Sequence, residues 1–157
     1  KRVFLSSNTY TGNLGGLRGA DTKCQALANS AALGGTWQAW LSSSRISASA
    51  RLSHATVPYR LVDGTLIANN WNDLTDGSLA HSIDKDQNNT FHARFVWTYT
   101  GTSGNVYGSN AHCNNWSNGG GSEASGVVGS SSSTSSTWTS ASSSFCSIER
   151  GLYCFEQ

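Results

Sequence analysis

Apolar positions come in short, separated clusters along this chain, and their period changes from one cluster to the next. Val3-Phe4-Leu5 gives way to a polar segment at 6–10 and to the glycines of 12–16, which predicts an N-terminal strand followed by a loop. From Gly19 the period lengthens: Ala20, Cys24, Leu27, Ala28 and Ala31 recur at helical spacing, with Lys23, Gln25, Asn29 and Ser30 on the other side and Gly34-Gly35 as the stop. That pattern predicts one main amphipathic helix. Trp37, Ala39 and Leu41 alternate with Gln38 and Trp40, as in a short extended segment, before small polar residues fill 42–53.

Further on, Tyr59 to Val62, Asp63-Gly64 and Thr65 to Ile67 read as a hairpin, because Asp-Gly supplies the positive φ angles of a two-residue turn. Asn69 is placed to cap a short helical turn carrying Trp71 and Leu74 and ended by Gly77. Phe95 to Tyr99 is β-branched and aromatic, hence a strand, and 101–108 is a loop containing Tyr107. Residues 117–144 are nearly all Ser, Gly, Thr and Ala, but Val127, Val128 and Trp138 interrupt them and cysteines flank them, so an ordered excursion is expected instead of a linker. A final strand, 151–156, turns Leu152, Cys154 and Glu156 one way and Tyr153 and Phe155 the other.

Composition narrows the function. The 157 residues suit one domain with its own core, 1–157; the expectation is either a chain whose leader was removed or, as the domain reading has it, part of a longer surface or secreted protein. Ten Lys+Arg stand against nine Asp+Glu, a net charge of +1, which argues against the clustered basic charge of nucleic-acid binding or a polybasic membrane anchor. No apolar run approaches the roughly 20 residues of a membrane span. Ser, Thr and Asn fill 54 positions beside six Trp, five Tyr and five Phe, so the surface is polar without being charged. Cys24, Cys113, Cys146 and Cys154 lack the C-x-x-C spacing of zinc or redox sites; an even count suits two disulfides in an oxidising compartment, with three connectivities open.

Gly15-Gly16-Leu17-Arg18-Gly19-Ala20-Asp21-Thr22-Lys23-Cys24 resembles the start of the main helix of endostatin, the C-terminal domain of multiplexin collagens. Matching segments follow in order: Gly35 to Ser43, Val57-Pro58, Leu66 to Asp73, Val96-Trp97, Cys113-Asn114-Asn115-Trp116 and Leu152 to Glu156. The two cysteine-bearing segments among the last of these are similar to endostatin-like domains of bacterial surface proteins, known from leptospires and from the surface fibres of predatory bacteria. The resemblance implies an α+β, C-type-lectin-like fold: a mixed central β-sheet, one main helix, long loops, and two nested disulfides, Cys24 with Cys154 and Cys113 with Cys146. It implies an extracellular or bacterial cell-surface location and a non-enzymatic adhesin role in virulence, since leptospiral relatives bind matrix proteins, plasminogen and complement factor H. The alternative is a glycan-binding tip domain of a trimeric fibre. Expected partners are host or prey surface proteins or glycans, with no nucleic acid and no direct membrane insertion, and the isolated domain is expected to be a monomer.

Several residue groups invite specific chemistry. Trp71-Asn72-Asp73 matches the calcium-ligand triplet of sugar-binding C-type lectins, but here it precedes Cys113 and lacks the neighbouring proline motif, so Trp71 is read as a helix anchor. Asp84, Asp86 and Asn88 alternate as a calcium loop opens, yet Asn89 and Phe95 occupy the glycine and glutamate places; a weak, solvent-facing calcium site is the secondary reading, and no cofactor is assigned. A serine hydrolase elbow needs Gly-x-Ser-x-Gly, which Gly101-Thr102-Ser103-Gly104 misses by one residue. With His54, His81, His92 and His112 read as surface or structural, no catalytic residue is expected, and an extracellular hydrolase ranks last. Endostatin's zinc site does not carry over, since no His precedes His54, and Arg45, Arg51, Arg60 and Arg94 make a thin patch for a heparin-like polymer. Loop binding remains. Tyr99, Asn105 and Tyr107 combine aromatic area with adaptable hydrogen bonds and are the expected contact residues, with Trp97 and Trp116 in the core.

Overall fold

The computed structural model of the chain describes residues 1–121 and 124–157. Its elements run β1 (Arg2–Leu5), α1 (Gly16–Ser30), β2 (Trp37–Ala39), α2 (Ala48–Arg51), β3 (Tyr59–Leu61), β4 (Leu66–Ala68), α3 (Trp71–Leu74), β5 (Phe95–Trp97), β6 (Ser125–Ser130), β7 (Ser142–Phe145) and β8 (Tyr153–Glu156). The arrangement is α+β, with a five-stranded mixed sheet in the order β2-β8-β1-β3-β4 and a three-stranded antiparallel sheet, β5-β6-β7.

β1 lies between β8, antiparallel, and β3, parallel, so the two ends of the chain are neighbours in the central sheet. β1 and β8, at its centre, are buried on both faces, which is why they read as apolar runs. Val3, Leu5, Tyr153 and Phe155 enter one core with Trp40, Tyr59 and Trp138, while Phe4, Leu152 and Cys154 enter another with Trp37 and the apolar stripe of α1. The two-way division expected of the last strand is therefore the division between the two cores. Trp40, expected on the polar side of its segment, is fully buried instead: β2 ends at Ala39, and the following ring drops into the core on the far face.

The outer edge of β2 is closed by α1. Gln38 pairs with Phe155, so the neighbouring N–H groups face away from the sheet. The Trp37 N–H donates to Gln25 Oε1 at 2.9 Å and the Ala39 N–H to Asp21 Oδ1 at 3.0 Å. Arg51 then forks onto both oxygens of Asp21, at 2.6 and 2.7 Å, and donates to the Ala39 and Leu41 carbonyls. An edge satisfied in this way offers no template for strand addition.

Two local expectations shift. The hairpin forms, but only Gly64 has a positive φ, 91°; its N–H donates to the Leu61 carbonyl and the Leu61 N–H to Thr65, giving a three-residue loop at 62–64. Asn70, not Asn69, caps α3: its Oδ1 accepts the Asp73 N–H, while Asp73 Oδ2 accepts from both nitrogens of Asn69. The aspartate thus reaches back past the cap to the residue before it, tying the incoming chain to the first turn.

The serine-rich excursion supplies two strands, β6 and β7. Val127 and Val128 are buried, and a Cβ at Gly129 would stand 1.9 Å from the Trp138 carbonyl oxygen, so the 136–138 turn needs glycine beneath it. Cys24–Cys154 joins α1 to β8 and Cys113–Cys146 clips the excursion at its base, the nested pairing the resemblance implies.

Candidate functional site

Loop 101–108 leaves the end of β5 on a fixed root. The Thr98 hydroxyl donates to the Thr139 carbonyl, and the buried hydroxyls of Thr100 and Ser42 are 2.8 Å apart. Tyr99, in the left-handed region at φ 48°, is only 2% exposed; its ring meets His112 edge-on at 5.2 Å and its hydroxyl donates to the Ser109 carbonyl. Burial pushes its phenol above the ordinary value. Tyr99, expected as a contact residue, thus supports the loop from beneath, because its ring completes the core that Trp97 and Trp116 share.

The loop's other two residues are exposed. The Asn105 carbonyl accepts the Gly101 N–H at 2.8 Å and its side chain donates to Ser103 Oγ, closing the tip. Tyr107 is half exposed and lines a cleft of about 250 Å³ with Ser109, Ala111, Val127, Ser142 and Ser143.

A second cleft abuts the same loop. The Gly104 carbonyl accepts the Ser49 N–H, and a Cβ at Gly104, whose φ is 78°, would lie 3.3 Å from the Trp71 ring. Trp71 stacks against the exposed imidazole of His54, centroids 3.9 Å apart and planes 10° from parallel. With Ala55, Thr56, Asn70 and Asn72 they line about 290 Å³. His54 Nε2 is 2.8 Å from the Ser49 carbonyl and 3.3 Å from its hydroxyl. A carbonyl can only accept, so Nε2 carries the proton and is no base toward Ser49. The Asp73 carboxylate is occupied by Asn69, which leaves Trp71 the helix anchor expected of it. Nothing in the sequence pairs His54 with Trp71; only the fold brings them together.

The alternating acids are turned inward. Asp86 is 3% exposed: Oδ1 accepts the Asn88 and Thr90 N–H groups and Oδ2 accepts His92 Nε2 at 2.9 Å. Burial pushes its carboxyl up, but these hydrogen bonds outweigh burial and hold it below the ordinary range. Asp84 is also buried, with Oδ2 accepting from Ser82 and Oδ1 unpartnered, while Asn88 is exposed. The three do not converge on an ion, because Asp86 spends its oxygens folding its own loop. Among the described residues no group of three or more His, Cys, Asp or Glu is placed to hold a metal. The four arginines also separate: Arg51 binds Asp21, Arg60 donates to Gly64, Arg94 to Ser6 and Ser7, and Arg45 lines a groove beside α1.

That last groove, about 360 Å³, is bounded on one side by a strained segment. Cys113, Asn114, Asn115 and Trp116 have φ of 49°, 52°, 54° and 67°, and the Trp116 and Ser117 N–H groups donate to His112 and Cys113 carbonyls, which makes one left-handed helical turn. Such backbone costs about 1–2 kcal/mol per residue, least for Asn. It is held by the disulfide, by the buried Trp116, whose Nε1 donates to the Ser42 carbonyl at 2.7 Å, and by His112 Nδ1, which accepts the Asn115 N–H. The adjacent asparagines are the only sequence signal of it.

Fold and clefts together define a disulfide-stapled α+β domain whose clefts beside loop 101–108 are lined by polar and aromatic side chains. Residues 7–135, which take in α1, loop 101–108 and the left-handed turn, match the family described as "Protein of unknown function (DUF1554)", and the chain belongs to that family. No curated protein matches the sequence. No helix among the described residues is long and apolar enough to cross a membrane.

Proposed function

We propose that this is a non-enzymatic extracellular recognition domain, endostatin-like and C-type-lectin-like, that serves a bacterial surface or secreted protein as an adhesin. Loop 101–108 and the clefts on either side of it form its binding face. The observation that carries the reading is the chemistry of those clefts: Tyr107 beside Ser109, Ser142 and Ser143 in one, and the exposed His54 ring, backed by the buried Trp71, beside Thr56, Asn70 and Asn72 in the other. Rings of this kind give flat contact area at small entropic cost, and hydroxyl and amide groups adapt their hydrogen bonds to the partner. Two disulfides fit an oxidising compartment and hold the loops ready, which lowers the ordering cost of binding. Host surface proteins of the kinds bound by leptospiral relatives, namely matrix proteins, plasminogen and complement regulators, are the leading partners.

Glycan recognition at a trimeric fibre tip is the second reading, favoured by the same rings flanked by hydroxyl and amide groups. A glycan array and a panel of matrix and plasma proteins, each with calcium and with chelator, separate the two. Protein binding that survives the chelator and drops at least about tenfold in Tyr107→Ala is expected. Sugar binding alone moves the domain to the second reading; turnover of a glycan or peptide, abolished by a histidine substitution, overturns both, as do two blank screens.

A further inference from the structure

A groove of about 400 Å³ opens at the start of β5, the opposite end of that strand from loop 101–108, lined by Ala93, Arg94, Phe95, Ser130, Ser132 and Arg150. Two of these six are arginines, in a chain with only 12% charged residues. The Arg150 guanidinium lies 5.4 Å from the centroid of the Phe95 ring, and its Nε donates to Ser144 Oγ at 3.1 Å. Those two contacts fix the plane of the fork, while among the described residues neither terminal nitrogen has a hydrogen-bond or carboxylate partner. The adjacent Glu149 is turned away, accepting the Thr9 hydroxyl at 2.7 Å.

Arg94 adds a second charge. Its terminal nitrogens donate to the Ser7 carbonyl and to His92 Nδ1. Because His92 accepts there and donates to Asp86 through Nε2, it is the neutral tautomer. Among the described residues no carboxylate touches its guanidinium. The Phe95 ring is 41% exposed.

We propose that this groove binds the carboxylate of an acidic sugar, a sialic or a uronic acid. The free fork of Arg150 takes the carboxylate bidentately, the exposed part of the Phe95 ring meets the sugar's apolar face, and Ser130 and Ser132 offer hydroxyls to its polar rim. A planar fork already held in place matches carboxylate geometry and gives up little further freedom on binding. Arg94 raises the local potential that draws the anion in. Phe95 selects a sugar over a bare inorganic anion. The site stands apart from the clefts beside loop 101–108 and does not depend on the reading given to them.

The test is a two-dimensional NMR titration of the oxidised domain with N-acetylneuraminate and with glucuronate, against glucose, acetate and a polysulfated chain as controls. Saturable shifts at Phe95, Ser130, Ser132 and Arg150 with one or both acids, weakening as salt is added, are expected, and which acid responds identifies the source. Glucose leaves these signals unmoved. Arg150→Gln raises Kd at least about tenfold and Arg150→Lys at least about fivefold, since an ammonium cannot fork. Tyr107→Ala leaves the titration unchanged, so failure here and failure of the loop reading are distinguishable. Should Arg150→Gln lose the dispersion of a folded spectrum, Arg150→Lys and Ser132→Ala decide the matter. The proposal is overturned by no saturable shift up to about 50 mM, by acetate acting as well as the sugars, by a response to the polysulfated chain alone, or by unchanged affinity in the Arg150 variants.

Discussion

Tyr99, at the root of loop 101–108, and Tyr107, within it, face opposite environments, so their substitutions separate support from contact. Tyr99→Ala empties a core site and should cost about 3–5 kcal/mol in denaturant unfolding, and Tyr99→Phe, which removes only the bond to Ser109, about 1 kcal/mol. Tyr107→Ala should stay within about 0.5 kcal/mol while weakening the binding the loop provides. A second residue-scale test uses pH. The Arg2 guanidinium bonds Glu156 at 2.6 and 3.0 Å, and with the Arg2 N–H it holds that carboxyl below its ordinary 4.5. A carboxyl lowered in the folded state stabilises the fold above its unfolded value, and that stability is lost as pH falls through the folded one. Melting midpoints should therefore drop below about pH 4.5, less steeply in Glu156→Gln. The slope that remains belongs to Asp86 and to Asp63, which the Lys85 amine and the Thr65 N–H hold at about 2.

Among the elements, β2 depends on a helix side chain that no strand pattern contains. Asp21→Ala leaves the Ala39 N–H unpaired and strands Arg51, whose side chain is 11% exposed, without its carboxylate. A loss of about 2–4 kcal/mol is expected, with Arg51→Met in the same chain restoring part of it; a cost under about 0.5 kcal/mol would show that the edge is held by packing alone. The case marks what is legible in a sequence. α1 and the strands of the central sheet show through because their periods are written in apolar residues, and Tyr107 because a lone aromatic in a polar loop has little to pack on. β6 and β7 do not show, since serine and glycine serve strands and linkers alike and the pairing that makes β6 a strand comes from β5, well back along the chain. Nor does the His54–Trp71 stack, which joins two elements the local pattern treats separately, or the inward turn of Asp86, two of whose three partners are backbone N–H groups that any sequence supplies.

At the scale of the molecule, the two disulfides do different work although one lies inside the other. Cys24–Cys154 spans 130 residues and Cys113–Cys146 spans 33, so chain-entropy arithmetic assigns them about 5 and about 4 kcal/mol. The longer bridge joins α1 to β8, which β1 and β2 also hold in the central sheet, so its loss lowers global stability without redirecting any loop. The shorter bridge anchors the left-handed turn at 113–116, whose backbone strain it offsets together with Trp116 and His112. Paired alanine substitutions should therefore differ in kind. Cys24→Ala with Cys154→Ala should lower the denaturation midpoint more, with hydrogen exchange rising evenly over both cores. Cys113→Ala with Cys146→Ala should cost about 1 kcal/mol less overall, yet exchange should rise first at 112–118 and along β7, and Trp116 should lose its buried environment. The outcome to look for is that locality: if exchange in the second variant rises as evenly as in the first, the turn is stable without its bridge, and the positive φ angles at Asn114 and Asn115 are sustained by Trp116 and His112 alone.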